Sequence, residues 1–180
     1  MHRFRIPAFM LVLLFCVSPA QAADPDDAYN RGVQAYRTKD YATARIQWAK
    51  AVDANMTHAF NNLGFLYYMG WGGKEDVPRA IALWTTAAKR GHDESQYHLG
   101  QAYEEGTGVP RSLVQAYAWY RASLANSPAE EMKSSSKELD KRRQALVRLL
   151  GEMQVEQLGE AERMARGYIG KYPRSGDLKE

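Results

Sequence analysis

The chain has 180 residues, of which 25% are charged and 45% hydrophobic, and its 24 Lys and Arg nearly balance its 21 Asp and Glu. This balance, without a basic stripe, argues against a nucleic-acid-binding protein. Cys16 is the only cysteine, so no disulfide joins two parts of the chain and a hydrophobic core has to hold the fold. The length suffices for one domain.

Residues 1–22 have the pattern of a secretory signal peptide. A basic start precedes an apolar run over residues 6–17, and Ala20-Gln21-Ala22 has the small-x-small spacing of a cleavage site. About a dozen apolar residues are too few to span a bilayer comfortably, and no later run is long enough for a membrane helix. We therefore expect cleavage near Ala22 and a periplasmic or secreted mature chain. An uncleaved N-terminal anchor is the alternative.

Residues 24–56 predict a first pair of helices. Asp24 and Pro25 suit the N-cap and the first position of a helix, and Lys39-Asp40 suits the turn that follows. Asp40 then caps a second helix, whose apolar positions include Trp48.

The next two units are copies of each other with a period of 36 residues. The repeated positions carry small, aliphatic or aromatic side chains: Leu63 pairs with Leu99, Gly64 with Gly100, Tyr67 with Tyr103, Gly70 with Gly106, Gly72 with Gly108, Ala80 with Ala116 and Trp84 with Tyr120. A fixed period of this length is typical of stacked helix pairs. We therefore divide this part of the chain into units at residues 57–92 and 93–127, and expect Gly64 to lie where two helices cross closely.

Several helix starts are indicated by residues that satisfy free backbone N–H groups. Asp40, Asp76 and Ser112 each stand four residues before a repeated alanine, and each is expected to cap the second helix of its unit. Thr57 is expected to cap the first helix of the second unit. The third unit opens with the capping-box spacing of Asp93-Glu94-Ser95-Gln96.

The period stops after the third unit, and residues 128–172 predict two helices that cap it, since a solenoid needs an atypical terminal unit. The first follows the capping-box sequence Ser127-Pro128-Ala129-Glu130 and is broken by Gly151. The apolar positions are Leu139, Leu146, Leu149 and Leu150 in the first helix and Val155, Leu158, Ala161, Ala165, Tyr168 and Ile169 in the second. The basic run at residues 137–143 is either a solvated face or a site for an anionic envelope polymer. Residues 173–180 are expected to form a disordered tail.

The two full units resemble Sel-one-like repeats (SLR), relatives of the tetratricopeptide repeat with a longer, glycine-bearing loop. The matching residues of the second unit are Leu63, Gly64, Tyr67, Gly70, Gly72, Asp76, Ala80, Trp84, Ala87, Ala88, Gly91 and His92. Gly73 and Ser112 depart from the family pattern, and the shorter first unit is similar to an ordinary tetratricopeptide repeat. The resemblance implies an all-α, right-handed helix-pair solenoid with three repeats and a C-terminal helical cap. It also implies an interaction scaffold.

In such solenoids the first helix of each unit lines the concave surface. The positions that vary between units mix amides, aromatic rings and a few charges, as a surface that binds an extended peptide would. The predicted partner-binding residues are Tyr29, Asn30, Tyr36, Asn61, Asn62, Phe65, Tyr68, Tyr97, His98, Gln101 and Glu104. The alternative for Phe65 is packing against a neighbouring helix. Trp71 is interpreted either as an exposed loop anchor or as folded back over Trp84.

No constellation of residues predicts catalysis, a cofactor or a metal site. His92 and His98 are six residues apart and do not share a helix face, and the adjacent Glu104 and Glu105 diverge as a solvated pair. No nucleophile motif or phosphate loop is present. We interpret the chain as an exported, non-catalytic adaptor for a protein or peptide. The alternative is an envelope factor that binds peptidoglycan or another polysaccharide, or hydrolyses it with β-lactamase-like activity.

Overall fold

The computed structural model describes residues 25–128 and 136–174, and these residues form eight α-helices and no strand. The first six helices pack in consecutive pairs, each of these pairs packs on the next, and both C-terminal helices pack on the sixth helix. This architecture confirms the predicted all-α helix-pair solenoid. The helices are α1 (Pro25–Arg37), α2 (Tyr41–Asp53), α3 (Thr57–Met69), α4 (Val77–Ala88), α5 (Asp93–Glu105), α6 (Leu113–Asn126), α7 (Lys137–Glu152) and α8 (Val155–Lys171).

Each of the three repeated pairs is built around one glycine–aromatic contact. A Cβ atom added at Gly64 would lie 2.7 Å from Trp84 Nε1, and one added at Gly100 would lie 2.5 Å from Tyr120 Cδ1. Gly32 meets Trp48 in the same way in the first pair. The glycine on the first helix therefore leaves the space that the buried ring of the second helix fills, which confirms the predicted close crossing at Gly64.

The second helices begin where the sequence predicts. The side chains of Asp40, Asp76 and Ser112 accept hydrogen bonds from backbone N–H groups three residues later, at 3.1, 3.1 and 3.2 Å. Each bond satisfies one donor that the first turn of a helix leaves unpaired.

Two predicted caps on the first helices are wrong. The N-cap of α3 is Met56, with no side-chain hydrogen bond, and Thr57 already lies inside the helix. At α5 the cap is His92, whose Nδ1 accepts from the N–H of Ser95 at 3.3 Å. Gln96 is buried and donates to the carbonyl of Ala88 at 3.0 Å, so it ties α5 to α4 and closes no capping box.

In the second and third units, a glycine of the loop between the two helices contacts the preceding unit. Gly72 has a φ of 74°, and an added Cβ would clash with the backbone carbonyl of Tyr41 at the start of α2. Gly108 has a φ of 71° and lies against Val77 at the start of α4, where an added Cβ would come within 2.6 Å of that side chain. Positive φ and close approach both favour glycine, which explains why the second loop glycine repeats.

Both C-terminal helices pack on α6 and cover the last repeat. Leu139, Leu146 and Leu149 are buried as predicted, but Leu150 is 46% exposed and Val155 is 81% exposed. The prediction that Leu150 belongs to the buried side of the helix is wrong, because Leu150 lies one residue past the buried Leu149 and so points away from α6. Helix α7 continues through Gly151, which therefore does not break it.

The two C-terminal helices begin and end at positions that differ in part from the prediction. The N-cap of α7 is Ser136, whose hydroxyl accepts from the N–H of Leu139 at 3.2 Å, and the predicted start at Ala129-Glu130 lies outside the described residues. Pro173 and Arg174, predicted as the start of a disordered tail, lie against Gly91 of the second unit. Residues 175–180 and the predicted signal peptide also lie outside the described part of the chain. Over residues 25–128 and 136–174, no helix is long and apolar enough to cross a membrane.

Candidate partner-binding groove

The first helices α1, α3 and α5 lie side by side and line a groove of about 1190 Å³. Helix α7 closes one end of it with Glu138, Lys141 and Arg142. Eight of the eleven residues predicted for the concave face line this groove: Tyr29, Tyr36, Asn61, Asn62, Phe65, Tyr97, His98 and Gln101. The structure therefore brings residues from three units, up to 72 positions apart in sequence, to one surface.

The other predicted residues lie elsewhere. Asn30 is exposed outside the groove lining, and Tyr68 lines a smaller pocket that adjoins it. Glu104 does not line the groove: its carboxylate accepts from Arg148 Nε at 2.7 Å, from Arg148 Nη2 at 2.9 Å and from the Tyr120 hydroxyl at 2.6 Å. Partial burial acts to raise the pKa of Glu104, but these hydrogen bonds from Arg148 and Tyr120 outweigh it and lower the pKa. Glu104 therefore joins α5 to α7, and the prediction of a solvated, partner-binding carboxylate is wrong.

Asn61 is a structural residue of the groove floor. Its side chain is only 4% exposed, and its Nδ2 donates to Glu94 Oε2 at 2.9 Å. Its Oδ1 accepts from the Ser95 hydroxyl at 2.8 Å, and its backbone carbonyl accepts from Trp84 Nε1 at 3.2 Å. The amide is thus used to join the second and third units, which corrects its prediction as a free recognition group.

Trp71 takes neither of the two predicted positions. Its ring stacks on Tyr41 with centroids 4.6 Å apart and meets the edge of Phe65 at 5.5 Å. Tyr36 lies 6.2 Å away and also contacts Trp48. The indole therefore packs between the first and second units, neither exposed as a partner anchor nor folded over Trp84. Phe65 both packs on Trp71 and lines the groove.

A histidine pair that the sequence analysis missed lies at the edge of the groove. His58 Nδ1 and His92 Nε2 are 3.0 Å apart, and the rings meet edge to face. Burial, with a further contribution from His58, lowers the pKa of His92 to about 4. His58 is the second residue of α3, as Glu94 is of α5, but this equivalence within the repeat does not predict the contact with the α5 cap. Over residues 25–128 and 136–174, no group of three or more His, Cys, Asp or Glu could hold a metal ion.

Arg142 lies where the basic run of α7 meets the groove. It is only 4% exposed and donates to Asp93 Oδ2 at 2.7 Å and to the Ser127 hydroxyl. The interpretation of residues 137–143 as a solvated face is therefore wrong for this residue, although Lys141 and Arg143 are exposed. The buried pair fixes α7 across the end of the groove.

These features define a class of protein: a helix-pair solenoid whose first helices form a concave surface. Residues 58–92 and 93–127 each match the family model of the Sel1 repeat. The chain therefore carries two Sel1 repeats in tandem, as the resemblance predicted.

Three known proteins illustrate this relationship. The chain is 37% identical over 87 residues to DAP3-binding cell death enhancer 1 of Rattus norvegicus, covering 46% of this chain and 16% of that one. It is 32% identical over 89 residues to the ERAD-associated E3 ubiquitin-protein ligase component HRD3A of Arabidopsis thaliana, covering 49% and 13%. The crystal structure of c5321, a protective antigen of uropathogenic Escherichia coli with an SLR fold, superposes with a TM-score of 0.73 at 27% identity, covering 89% and 34%. The chain thus spans a small part of its curated relatives.

Proposed function

We propose that the chain is a non-catalytic adaptor that binds an extended segment of a protein partner along the α1–α3–α5 groove. The observation that carries this proposal is the composition of the groove: three successive first helices present amide and aromatic side chains to one continuous surface. Asn62 and Gln101 can each donate to and accept from a peptide backbone. Tyr29 and Tyr97 add contact area at a small cost in side-chain entropy.

The relatives support the same class of function. One is named for binding DAP3, and another is a component of a ubiquitin ligase assembly. In both, the matched region is a small part of a longer protein whose name indicates that it acts with other proteins. We carry over only this general role, because the matched regions cover 16% and 13% of those chains.

We also propose that the adaptor acts after export, in the periplasm or outside the cell. The support is the signal-peptide pattern over residues 1–22. N-terminal sequencing of the chain recovered from the periplasmic fraction should begin near Ala23. Recovery of the uncut chain with the membrane fraction would instead favour the N-terminal anchor.

Capture of the partner by groove variants tests the binding proposal. Tagged chain incubated with periplasmic extract should retain its partner, and Asn62→Ala or Tyr97→Ala should each reduce the retained amount at least fivefold. Ile46→Ala is the matched control, because Ile46 is 58% exposed on α2 and is not part of the groove lining. Binding or hydrolysis of purified cell-wall fragments, with partner capture unchanged in the groove variants, would contradict the adaptor and support the envelope-polymer alternative.

A further inference from the structure

A second, smaller pocket opens between α3 and α5 beside the groove. It has a volume of about 220 Å³ and is lined mainly by Phe65, Tyr68, Trp84, His98, Gln101 and Glu105. Phe65, His98 and Gln101 also line the groove, so the two spaces adjoin each other. A side chain of a segment lying in the groove could therefore enter this pocket.

Aromatic rings form the walls of the pocket. Tyr68 lies against Trp84 with ring centroids 5.3 Å apart, and His98 stacks on Trp84 at 4.6 Å. Trp84 is held by its hydrogen bond to the Asn61 carbonyl, and His98 contacts Gln101 Oε1 through Nδ1 at 3.4 Å. Burial lowers the pKa of His98 to about 4, so this ring is neutral at neutral pH. The walls thus present π-faces and an amide, and no positive charge.

Two carboxylates give the pocket a negative potential. Glu105 lines it, and its nearest hydrogen-bond partner is the Thr107 hydroxyl at 3.4 Å. The pKa of Tyr68 is raised first by burial and then by the negative charges of Glu105 and Glu75. Among residues 25–128 and 136–174, neither Glu75 nor Glu105 forms an ion pair, whereas the neighbouring Glu104 is paired with Arg148.

The chain itself shows what such rings bind. The guanidinium of Arg45 lies 3.8 Å from the ring centroid of Tyr67, and that of Arg79 lies 4.5 Å from the same ring. Arg90 lies over Phe60 at 4.6 Å. Tyr68, the residue next to Tyr67, has aromatic walls and carboxylates around it but no cation of the described chain over its ring.

We propose that this pocket binds the side chain of an arginine in the partner segment. A flat guanidinium stacks on an aromatic ring and donates two parallel hydrogen bonds to a carboxylate, so the half-buried ring of Tyr68, which packs on the buried Trp84, and the exposed Glu105 supply its complement. Lysine fits the charge but not the planar stack, and an acidic side chain is repelled. The inference rests on the proposed function, because it assigns a side-chain specificity to the same groove.

Short peptides test the pocket without the natural partner. The probe is a capped Gly-Ser-Arg-Ser-Gly peptide, titrated into the isotope-labelled chain and followed by NMR at the Trp84 indole N–H and the Tyr68 amide. Matched peptides carry lysine, citrulline or glutamate in place of arginine. We expect saturable shifts centred on these two residues, with half-saturation at least tenfold lower for arginine than for citrulline, its neutral analogue, and intermediate for lysine. Equal binding of arginine and citrulline, or shifts centred elsewhere, would overturn the proposal.

Variants of the chain provide a second test of the pocket. Glu105→Gln should weaken binding of the arginine peptide at least fivefold, because Glu105 is exposed and its loss removes charge without opening the core. Tyr68→Leu, which keeps bulk but removes the π-face, should have a similar effect. Glu160→Gln is the control, since Glu160 is exposed on α8 and is not among the residues that line the pocket. Unchanged affinity in Glu105→Gln would overturn the pocket assignment.

The two proposals can fail separately. If Asn62→Ala abolishes partner capture while Glu105→Gln leaves both capture and peptide binding intact, only the arginine pocket is wrong. If the arginine peptide binds as expected but Asn62→Ala and Tyr97→Ala leave partner capture unchanged, the groove as the partner site is wrong.

Discussion

The joint between the first and second units is aromatic, whereas the joint between the second and third units is polar. In the aromatic joint, Trp71 fills the space between units by stacking on Tyr41 at 4.6 Å and contacting Phe65 and Tyr36. A charge adds to this joint, because the guanidinium of Arg45 on α2 lies 3.8 Å from the ring centroid of Tyr67 on α3. The joint depends on shape and on the area of ring surface removed from water.

The polar joint is made by hydrogen bonds at other positions of the repeat. Asn61 donates to Glu94 and accepts from Ser95, and His58 meets His92, which in turn caps α5. Each of these groups has a partner, as buried polar groups require. The comparison teaches that the joints of one solenoid can rest on different chemistries at different positions of the repeat. Only the polar one depends on the protonation state of its members.

The largest expected effect is a backbone clash at the aromatic joint. Gly72→Ala should lower the free energy of unfolding by about 3 kcal/mol, because the new methyl group meets the rigid Tyr41 carbonyl at a positive φ. Gly108→Ala is the matched change at the polar joint, and it should cost only about 1 kcal/mol because its methyl group meets the Val77 side chain, which can shift. Urea denaturation of both variants measures the difference. Equal losses of unfolding free energy would show that the positive φ alone requires these glycines, and that the contact of Gly72 with the Tyr41 carbonyl does not add to the requirement.

An effect of similar size should separate the joints by pH. His92 has a folded-state pKa of about 4 against an ordinary value of 6.5, so the unfolded chain binds the proton first as the pH falls. Stability contributed by the neutral ring is therefore complete above pH 6.5 and is lost between pH 6.5 and about 4, by roughly 3 kcal/mol. The charged or titrating groups around His92 are His58 from α3, Asp93 and His98 from α5, and Arg142 from α7.

His92→Asn provides the test, because asparagine keeps an N-cap acceptor but does not titrate. Unfolding free energies measured from pH 7 to 4.5 should fall less steeply in this variant than in the parent chain. Trp71→Ala should lower the whole curve without changing its slope. Parallel curves for the parent and His92→Asn would contradict the role given to the polar joint.

The smallest expected effect lies at the third joint, between α5 and the cap. Glu104→Gln should lower the free energy of unfolding by about 1 kcal/mol, because it weakens the paired bonds to Arg148 while Arg148 remains half exposed to water. Glu105→Gln, one residue away and without an ion pair in the described chain, should change stability by less than about 0.5 kcal/mol. Thermal unfolding of the two variants side by side measures both losses of stability. A larger loss for Glu105→Gln than for Glu104→Gln would contradict the role given to the Glu104–Arg148 pair.

The sequence predicted contacts that recur within a unit, because the period repeats them. Gly64 with Trp84 and the cap at Asp76 are examples: both depend on residues of the same helix pair, at fixed spacing. Most residues that line the groove could be predicted in the same way, because the positions that vary between the repeats are those that the core does not use.

Contacts between units could not be predicted from that period. Asn61 looks free in its own unit and is buried only because Glu94 and Ser95 of the next unit reach it. Trp71 finds Tyr41 in the previous unit, and Glu104 finds Arg148 forty-four residues later in the cap. A spacing rule for one helix pair contains no information on which side chains the neighbouring pair presents.

Photo-crosslinking in the native cell tests most directly whether the groove is where the partner lies. A benzophenone amino acid placed at Tyr97, in the groove, should crosslink one protein partner, and the same probe at the exposed Ile46 on α2 should not. Crosslinks of equal yield at both positions, or only at Ile46, would contradict the account.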